Sequence, residues 1–130
     1  MKYLVDTDRV VDYLKGKPEA VETMERLVAD GLGISIVTYG EVYEGIYFGD
    51  EPRLYEEIFK RFLKGVEVVP LDKPVMRAFA RLRGRLRVDG LLIPDPDLLI
   101  GATALQRDLT LVTGNSGHFK RIPGLRRLEP

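Results

Sequence analysis

Apolar and polar positions follow two patterns along this chain: short continuous apolar runs, and longer stretches in which apolar residues recur three and four positions apart. The short runs are rich in branched side chains, which is typical of buried strands. They predict four strands, with a candidate fifth at Leu125–Leu128. The four are Lys2–Val5, Gly33–Val37, Val66–Pro70 and Leu109–Thr113.

The longer stretches have the spacing of one helix face, and each begins at a residue that commonly starts a helix. The predicted helix starts are Asp8, Pro18, Thr38, Pro52, Asp72 and Asp95. Strands and helices therefore alternate, which predicts a parallel sheet covered by helices on both faces. We expect an α/β fold with three layers, α/β/α, around a central, mostly parallel sheet of four to five strands, in a single domain of residues 1–130.

Polar residues stand close to the ends of several predicted strands. Asp6 follows the first strand directly, Glu41 is placed in the first turn of the helix after the second strand, and Asn115 follows the fourth. Asp97 is placed in the first turn of the helix that precedes the fourth strand. Ligands of parallel sheets bind at the carboxyl ends of the strands. These side chains are therefore expected to meet there, provided that the segment before Asp97 returns to that edge.

Three carboxylates and an amide at one place would repel one another unless a cation neutralised them. Hard oxygen ligands favour Mg²⁺ or Mn²⁺, which usually keep several of their waters. Such an ion positions a water, makes it more acidic and neutralises the charge that builds up during attack on phosphorus. The pattern therefore predicts hydrolysis of phosphodiester bonds.

Each of these residues also has a purely structural interpretation. Thr38 and Glu41 have the spacing of a capping box, in which the glutamate bonds to a backbone N–H. Asp97 can favour a helix start through the helix dipole, Asp6 can cap the first helix, and Asn115 can serve a turn. The sequence leaves both interpretations open at each position, and the combination of positions indicates function more strongly than any one of them.

The composition narrows the class of protein. The chain has no cysteine, which excludes disulfides and thiolate zinc sites. No apolar run reaches the roughly 18 residues of a membrane span. Asp6 also interrupts the N-terminal apolar segment too early for a signal peptide. We therefore expect a soluble, cytoplasmic protein with no membrane association.

The formal net charge is zero, but the charges are unevenly distributed. Residues 1–60 carry 13 acidic and 7 basic side chains, whereas residues 61–130 carry 7 acidic and 13 basic ones. This division is compatible with an acidic site beside a polyanion-binding surface, and equally with an ordinary solvated surface. Arg77, Arg81 and Arg85 recur at helical spacing in the basic half and are candidate contacts to RNA phosphates.

Four segments of the chain resemble the motifs of a known family. They are Leu4-Val5-Asp6-Thr7-Asp8, Thr38-x-x-Glu41, Asp97–Ala104, and Leu111–Asn115 with the following His118-Phe119. In this order and at these spacings, the chain is similar to a PIN domain, and in particular to the VapC-type toxins of bacterial and archaeal toxin–antitoxin pairs. The resemblance covers nearly the whole chain.

The resemblance implies a PIN-like fold and an endoribonuclease that uses Mg²⁺ or Mn²⁺. Asp6, Glu41 and Asp97 match the acids that bind metal in this family. Asn115 falls where many members have a fourth acid, so these four residues are the catalytic candidates. Asp95 is a spare acid that the motif does not require. The resemblance also implies a homodimer, and inhibition by a small VapB-type antitoxin that inserts residues at the acidic site.

Two further features are interpreted as structural or interfacial. His118, the single histidine, is expected to serve a turn, because a metal-centred mechanism needs no imidazole base. The aromatic residues between Tyr39 and Phe48 are expected to pack in the core, or at an interface with a second copy or an antitoxin.

Two other functions stay open from the sequence. Asp6-Thr7-Asp8 looks like the motif of haloacid-dehalogenase-type phosphatases, with Asp6 as nucleophile and Asp8 as acid–base, although neither a lysine motif nor a cap insertion accompanies it. The other is a non-enzymatic RNA-binding or receiver-like domain, although the one late lysine, Lys120, comes after the turn.

Overall fold

The computed structural model describes residues 1–129, in which a parallel sheet is enclosed by helices. The strands in this range are β1 (Tyr3–Val5), β2 (Leu32–Ser35), β3 (Val66–Val69), β4 (Thr110–Val112) and β5 (Arg127–Leu128). The helices are α1 (Thr7–Leu14), α2 (Pro18–Leu27), α3 (Ile36–Tyr47), α4 (Pro52–Leu63), α5 (Lys73–Val88), α6 (Asp95–Gln106) and α7 (Ser116–Phe119), with a 3-10 turn at Val28–Asp30. All strand pairs are parallel, in the order β3-β2-β1-β4-β5. This architecture confirms the predicted α/β/α fold.

β1 lies at the centre of the sheet, and both of its faces are apolar. Leu4 pairs with Gly33 of β2 on one side and with Leu111 of β4 on the other. Successive side chains of a strand point to opposite faces, so Leu4 and Val5, both fully buried, contribute to two separate cores. Helices α1 to α4 close one core, and α5 to α7 close the other. The position of Asp6, which follows β1, is therefore fixed by packing on both sides.

Two helices begin earlier than the sequence pattern predicts. Asp6, rather than Asp8, caps α1, because its side chain accepts the backbone N–H of the next residue at 2.8 Å. Ser35, rather than Thr38, caps α3, and its hydroxyl accepts the N–H two positions further on at 3.0 Å. Asp6 directly follows β1 and Ser35 is the last residue of β2, so each strand leads into its helix without a loop.

These shifts change the position of two predicted residues. Glu41 lies in the second turn of α3 rather than in the first. The predicted capping box is not formed, since Thr38 is buried within α3 and its hydroxyl contacts Thr7.

In α6, Pro94 occupies the N-cap position and Asp95 is the first residue of the helix, so Asp95 is not the cap that the sequence suggested.

Helices α5 and α6 pack as an antiparallel pair against the sheet. At one end Asp72, the N-cap of α5 as predicted, lies 3.2 Å from the guanidinium of Arg107, which ends α6. Towards the other end, Arg83 lies 3.0 Å from Asp95. The first turn of α6 contacts α7, which follows β4. Asp97 therefore lies at the carboxyl edge of the sheet, as its predicted role requires.

None of the helices formed by residues 1–129 is both long and apolar enough to cross a membrane.

Candidate functional site

Asp6 is a buried carboxylate at the carboxyl end of the central strand. It is only 4% exposed to solvent. Oδ1 accepts the backbone N–H of Thr7 at 2.8 Å, and Oδ2 accepts the hydroxyl of Thr113 at 2.8 Å. Thr113 follows β4, the strand beside β1, so both oxygens of Asp6 are oriented by residues of the sheet edge.

The electrostatic environment of Asp6 is unfavourable for its charged form. Burial is the main reason that the pKa of the Asp6 carboxyl rises from 3.8 to about 7, because a buried charge loses its hydration. The charges of Asp8 and Asp97 also raise this pKa, whereas the hydrogen bonds from Thr113 and Thr7 lower it. Asp6, Asp8 and Asp97 therefore lie within electrostatic reach of one another, and a cation placed among them would favour the ionised state of Asp6.

Glu41 is held by a hydroxyl from the first residue of α1. Its Oε1 lies 2.7 Å from Thr7 Oγ1, and Thr7 Oγ1 lies 3.0 Å from the hydroxyl of buried Thr38. Thr7 has a single hydroxyl proton, and the shorter bond to a charged acceptor is the stronger one. Thr7 therefore donates to Glu41, and Thr38 donates to Thr7. Thr7 links Asp6 to Glu41 in this way, a role that the sequence analysis missed although Thr7 adjoins Asp6.

Asp97 is held by the histidine. Its Oδ2 lies 2.6 Å from His118 Nδ1, and the Asn115 side-chain amide lies 3.1 Å from the same nitrogen. The backbone N–H of Asn115 also donates to Thr113 Oγ1 at 2.9 Å. Asn115 therefore belongs to the same group of residues, but it reaches Asp97 through His118. The short helix α7 gives His118 this contact, which was not part of the turn role expected from the sequence.

A glycine allows the close approach of α6 and α7 behind this contact. A Cβ atom on Gly101 would lie 2.4 Å from Ile122 Cδ1 and 3.6 Å from the ring of Phe119. Phe119 is fully buried and Ile122 almost so. A larger residue at this position would require the Ile122 side chain to move.

Asp8 ties α1 to the segment after β4 rather than capping a helix. Its Oδ2 accepts the backbone N–H of Gly114 at 3.0 Å, and a Cβ atom on Gly114 would lie 2.8 Å from that oxygen. The other oxygen, Oδ1, is buried and has no hydrogen-bond partner within residues 1–129. Asp8 thus adds further negative charge beside Asp6.

The three acids predicted as metal ligands share one edge of the sheet but do not contact one another. Asp6, Glu41 and Asp97 each bond to a different threonine or histidine side chain. Within residues 1–129, no three carboxylate or imidazole groups are close enough to form a metal-binding cluster. The donor set still fits a hard divalent cation, because its ligands are carboxylate oxygens and the buried charge of Asp6 calls for compensation.

The arginine stripe lies on α5, outside this group of acids. Arg77, Arg81 and Arg85 are exposed, and the antiparallel packing of α5 on α6 places Arg85 nearer to the start of α6 than Arg77. Asp95 is engaged with Arg83 on the surface rather than with the buried acids.

The aromatic run of α3 divides into a buried and an exposed part. The rings of Tyr39 and Tyr43 pack against Phe59 in the core, with centroids 5.8 and 5.5 Å from it. At the end of the helix, Tyr47 and Phe48 are 64% and 89% exposed. The core role predicted for this run is therefore observed for the first part, and the second part offers an apolar surface.

Comparison with known proteins finds relatives along nearly the full length of the chain. The sequence model of the PIN domain family matches residues 3–125. Ribonuclease VapC1 of Methanocaldococcus jannaschii is 33% identical over 121 residues, which cover 93% of this chain and 81% of the relative. The tRNA(fMet)-specific endonuclease VapC of Salmonella typhimurium is 28% identical over 126 residues, which cover 97% of this chain and 96% of the relative.

Solved structures share the fold as well as the sequence. A chain of the VapBC2 crystal structure from Rickettsia felis, bound to a promoter DNA fragment, superposes with a TM-score of 0.91 at 28% identity over 98% of both chains. DNA-bound VapBC from Salmonella typhimurium gives a TM-score of 0.91 at 27% identity, covering 98% of this chain and 97% of that one. The structural similarity thus spans nearly the whole chain, including the sheet and the helices on both of its faces.

Proposed function

The chain belongs to the PIN-domain family and, within it, to the VapC ribonucleases, and we propose that it is a divalent-metal-dependent endoribonuclease that acts as the toxin of a toxin–antitoxin pair. The observation that carries the proposal is the group of three acids, Asp6, Glu41 and Asp97, at one edge of the sheet, each with its own hydrogen-bond donor. The relatives described above are named ribonucleases, which favours this function over the phosphatase and receiver-like alternatives.

Asp6, Glu41 and Asp97 are the residues that would hold the metal ion. When bound there, Mg²⁺ or Mn²⁺ would supply a more acidic water and positive charge to offset the charge that develops on the phosphate. The buried position of Asp6 makes it the ligand that gains most from the cation, since its ionised form is costly on its own.

The protein's own contribution is to hold these acids in place before the substrate arrives. Thr113 and the N–H of Thr7 orient Asp6, while the hydroxyl of Thr7 orients Glu41. Groups that are already oriented do not need to reorganise during the reaction, which lowers its barrier. Asn115 remains a proposed member of this site through its contacts with Thr113 and His118.

RNA would be held by exposed basic residues of α5 while its backbone reaches the acidic edge. Arg77, Arg81 and Arg85 are proposed to bind phosphates, since guanidinium groups pair with phosphate in a bidentate manner. Such contacts hold the backbone of any RNA and leave the choice of sequence to other residues.

We further propose a VapB-type antitoxin as partner, together with a homodimer and a cytoplasmic location. The structural relatives include VapBC bound to DNA and a toxin–antitoxin complex from Klebsiella pneumoniae. Tyr47 and Phe48 are exposed next to a groove lined by Val42, Ile46 and Tyr55. This apolar surface supports a protein interface on the α3 side of the molecule.

Cleavage of RNA by purified protein, freed of any partner, tests the function. We expect cleavage of total RNA in the presence of Mn²⁺ or Mg²⁺ and none with a chelator. Asp97→Asn should abolish cleavage while the protein stays folded. Asp95→Asn is the matched control, because Asp95 lies in the same helical turn but pairs with Arg83 on the surface.

Two other results would contradict parts of this proposal. Full activity of Asp97→Asn would contradict the proposed metal site. Binding of RNA without cleavage at any metal concentration would instead favour the non-enzymatic alternative. Mapping the cut ends would identify the RNA.

A further inference from the structure

His118 forms the one side-chain contact described between α7 and the proposed metal ligands. Its Nδ1 lies 2.6 Å from Asp97 Oδ2, and the two side chains are 37% and 21% exposed. Asp97 Oδ1 accepts no hydrogen bond from any group within residues 1–129. One oxygen of Asp97 is thus held and the other is left for a ligand.

The proton in this contact belongs on His118. Without a proton between them, two lone pairs would face each other at 2.6 Å, which is unfavourable. A ring nitrogen that carries a proton is a donor, and a carboxylate oxygen is an acceptor. His118 Nδ1–H therefore donates to Asp97.

His118 lies beside two residues that are buried against α6. The next residue, Phe119, is fully buried, and Ile122 is 3% exposed. Both pack against α6 at Gly101, where no side chain intervenes. The imidazole and the Asp97 carboxylate are therefore carried by two helices in direct contact, so the bond between them fixes the direction of the carboxylate.

We propose that His118 is a positioning residue, which holds Asp97 in the orientation that receives the metal ion and acts only through that carboxylate. This role rests on the proposed function, because it has meaning only if Asp97 is a metal ligand. The nitrogen that faces the acids carries a proton and has no lone pair for a metal ion. His118 is therefore not a ligand through this atom. Hydrogen bonds to ligating groups orient them, and their loss weakens metal binding by about 10- to 100-fold.

Metal affinity measured by calorimetry tests this role without relying on activity. His118→Ala should weaken Mn²⁺ binding by about 10- to 100-fold. His118→Asn should restore most of the affinity, because the asparagine amide nitrogen can occupy the position of Nδ1. Lys120→Ala is the control, because Lys120 is exposed and directly follows α7, and this variant should bind Mn²⁺ like the wild type. At saturating Mn²⁺, kcat of His118→Ala should approach the wild-type value, with KM for RNA unchanged.

The bond itself can be observed by NMR, because His118 is the single histidine of the chain. Nitrogen chemical shifts of ¹⁵N-labelled protein should show a proton on Nδ1. Asp97→Ala should release this preference for one tautomer while circular dichroism shows that the fold is kept. A proton on Nε2 alone in the wild type would overturn the proposal.

The outcomes separate this role from the function on which it depends. If His118→Ala binds Mn²⁺ as tightly as the wild type, the positioning role is wrong and the ribonuclease proposal stands. If the wild type binds no Mn²⁺, both are wrong. A lower melting temperature of His118→Ala with unchanged Mn²⁺ affinity would show that the contact only joins α7 to α6, which also overturns the proposal.

Discussion

Replacement of Asp6 by asparagine should stabilise the metal-free protein, although Asp6 is proposed to be essential for activity. The buried carboxyl has a pKa raised from 3.8 to about 7, mainly by burial. Its ionisation therefore opposes folding at neutral pH. Asparagine has nearly the same shape, remains uncharged, and is also a good helix N-cap.

The size of the effect follows from the shift in pKa. A rise from 3.8 to about 7 corresponds to about 4 kcal/mol, at about 1.4 kcal/mol for each pKa unit. Asparagine offers one oxygen where aspartate offers two, so one of the bonds from Thr7 and Thr113 is lost, at about 1 kcal/mol. We expect a net gain of about 3 kcal/mol in the free energy of unfolding above pH 7, and no gain below about pH 4.

The sign of the pH dependence is part of the prediction. Between the unfolded pKa of 3.8 and the folded pKa of about 7, the folded protein keeps a proton on Asp6 that the unfolded chain releases. The free energy of unfolding of the wild type should therefore fall, relative to that of Asp6→Asn, as pH rises through this window. Above it the difference should be constant.

Urea denaturation in the presence of EDTA, followed by circular dichroism at several values from about pH 4 to pH 8, measures this difference. Asp95→Asn, which removes an exposed acid, should follow the wild-type curve. Adding Mn²⁺ should stabilise the wild type and leave Asp6→Asn unchanged, since only the folded wild type binds it. An Asp6→Asn protein that is less stable than the wild type at pH 8, or a difference that does not change with pH, would refute the reasoning.

Two further predictions concern the RNA surface and the segment after β4. The first replaces three arginines of α5 together: Arg77→Gln, Arg81→Gln and Arg85→Gln. The plot of the logarithm of the RNA-binding constant against the logarithm of the salt concentration should become less steep by about 2. KM for RNA should rise, while the turnover of bound RNA should not change. The control removes three positive charges elsewhere, from α2 and α4, with Arg26→Gln, Arg53→Gln and Arg61→Gln. The same change of slope in this control would contradict a specific contact between α5 and RNA. Gly114→Ala should destabilise the protein by about 1–3 kcal/mol in thermal unfolding, because its Cβ would lie 2.8 Å from Asp8 Oδ2, and unchanged stability would show that this contact is dispensable.

The fold was predictable because its signals are local and repeated. Pro18, Pro52 and Asp72 begin or cap their helices as the pattern indicated. The errors occurred where two suitable capping residues stand close together. Two segments each offer two candidate N-cap residues: Asp6 or Asp8 for α1, and Ser35 or Thr38 for α3. The position at which the preceding strand ends decides which of the two caps the helix. That end is set by pairing with distant strands, which a local pattern does not contain.

For the proposed site, the location of the three acids was predictable but their contacts were not. A common edge for Asp6, Glu41 and Asp97 could be predicted because acids near strand ends of a parallel sheet point to that edge. The contact of His118 with Asp97 depends on how closely α7 approaches α6, where Phe119 packs beside Gly101. A turn and a short helix look alike in sequence, so the role of the histidine could be found only from the packed structure.

The strand order has a consequence for when this molecule can become active during its synthesis. The Asp6 carboxylate is oriented by Thr113, 107 positions later in the chain, and β1 completes its pairing only when β4 has formed beside it. A nascent chain that has emerged as far as α5 contains Asp6 and Glu41 but lacks Asp97, His118 and Thr113. Contacts over such separations form late, since a long loop must close first. On the proposed function, the group of acids is therefore incomplete until the last third of the chain has emerged from the ribosome, and topology alone would delay activity until synthesis is nearly finished.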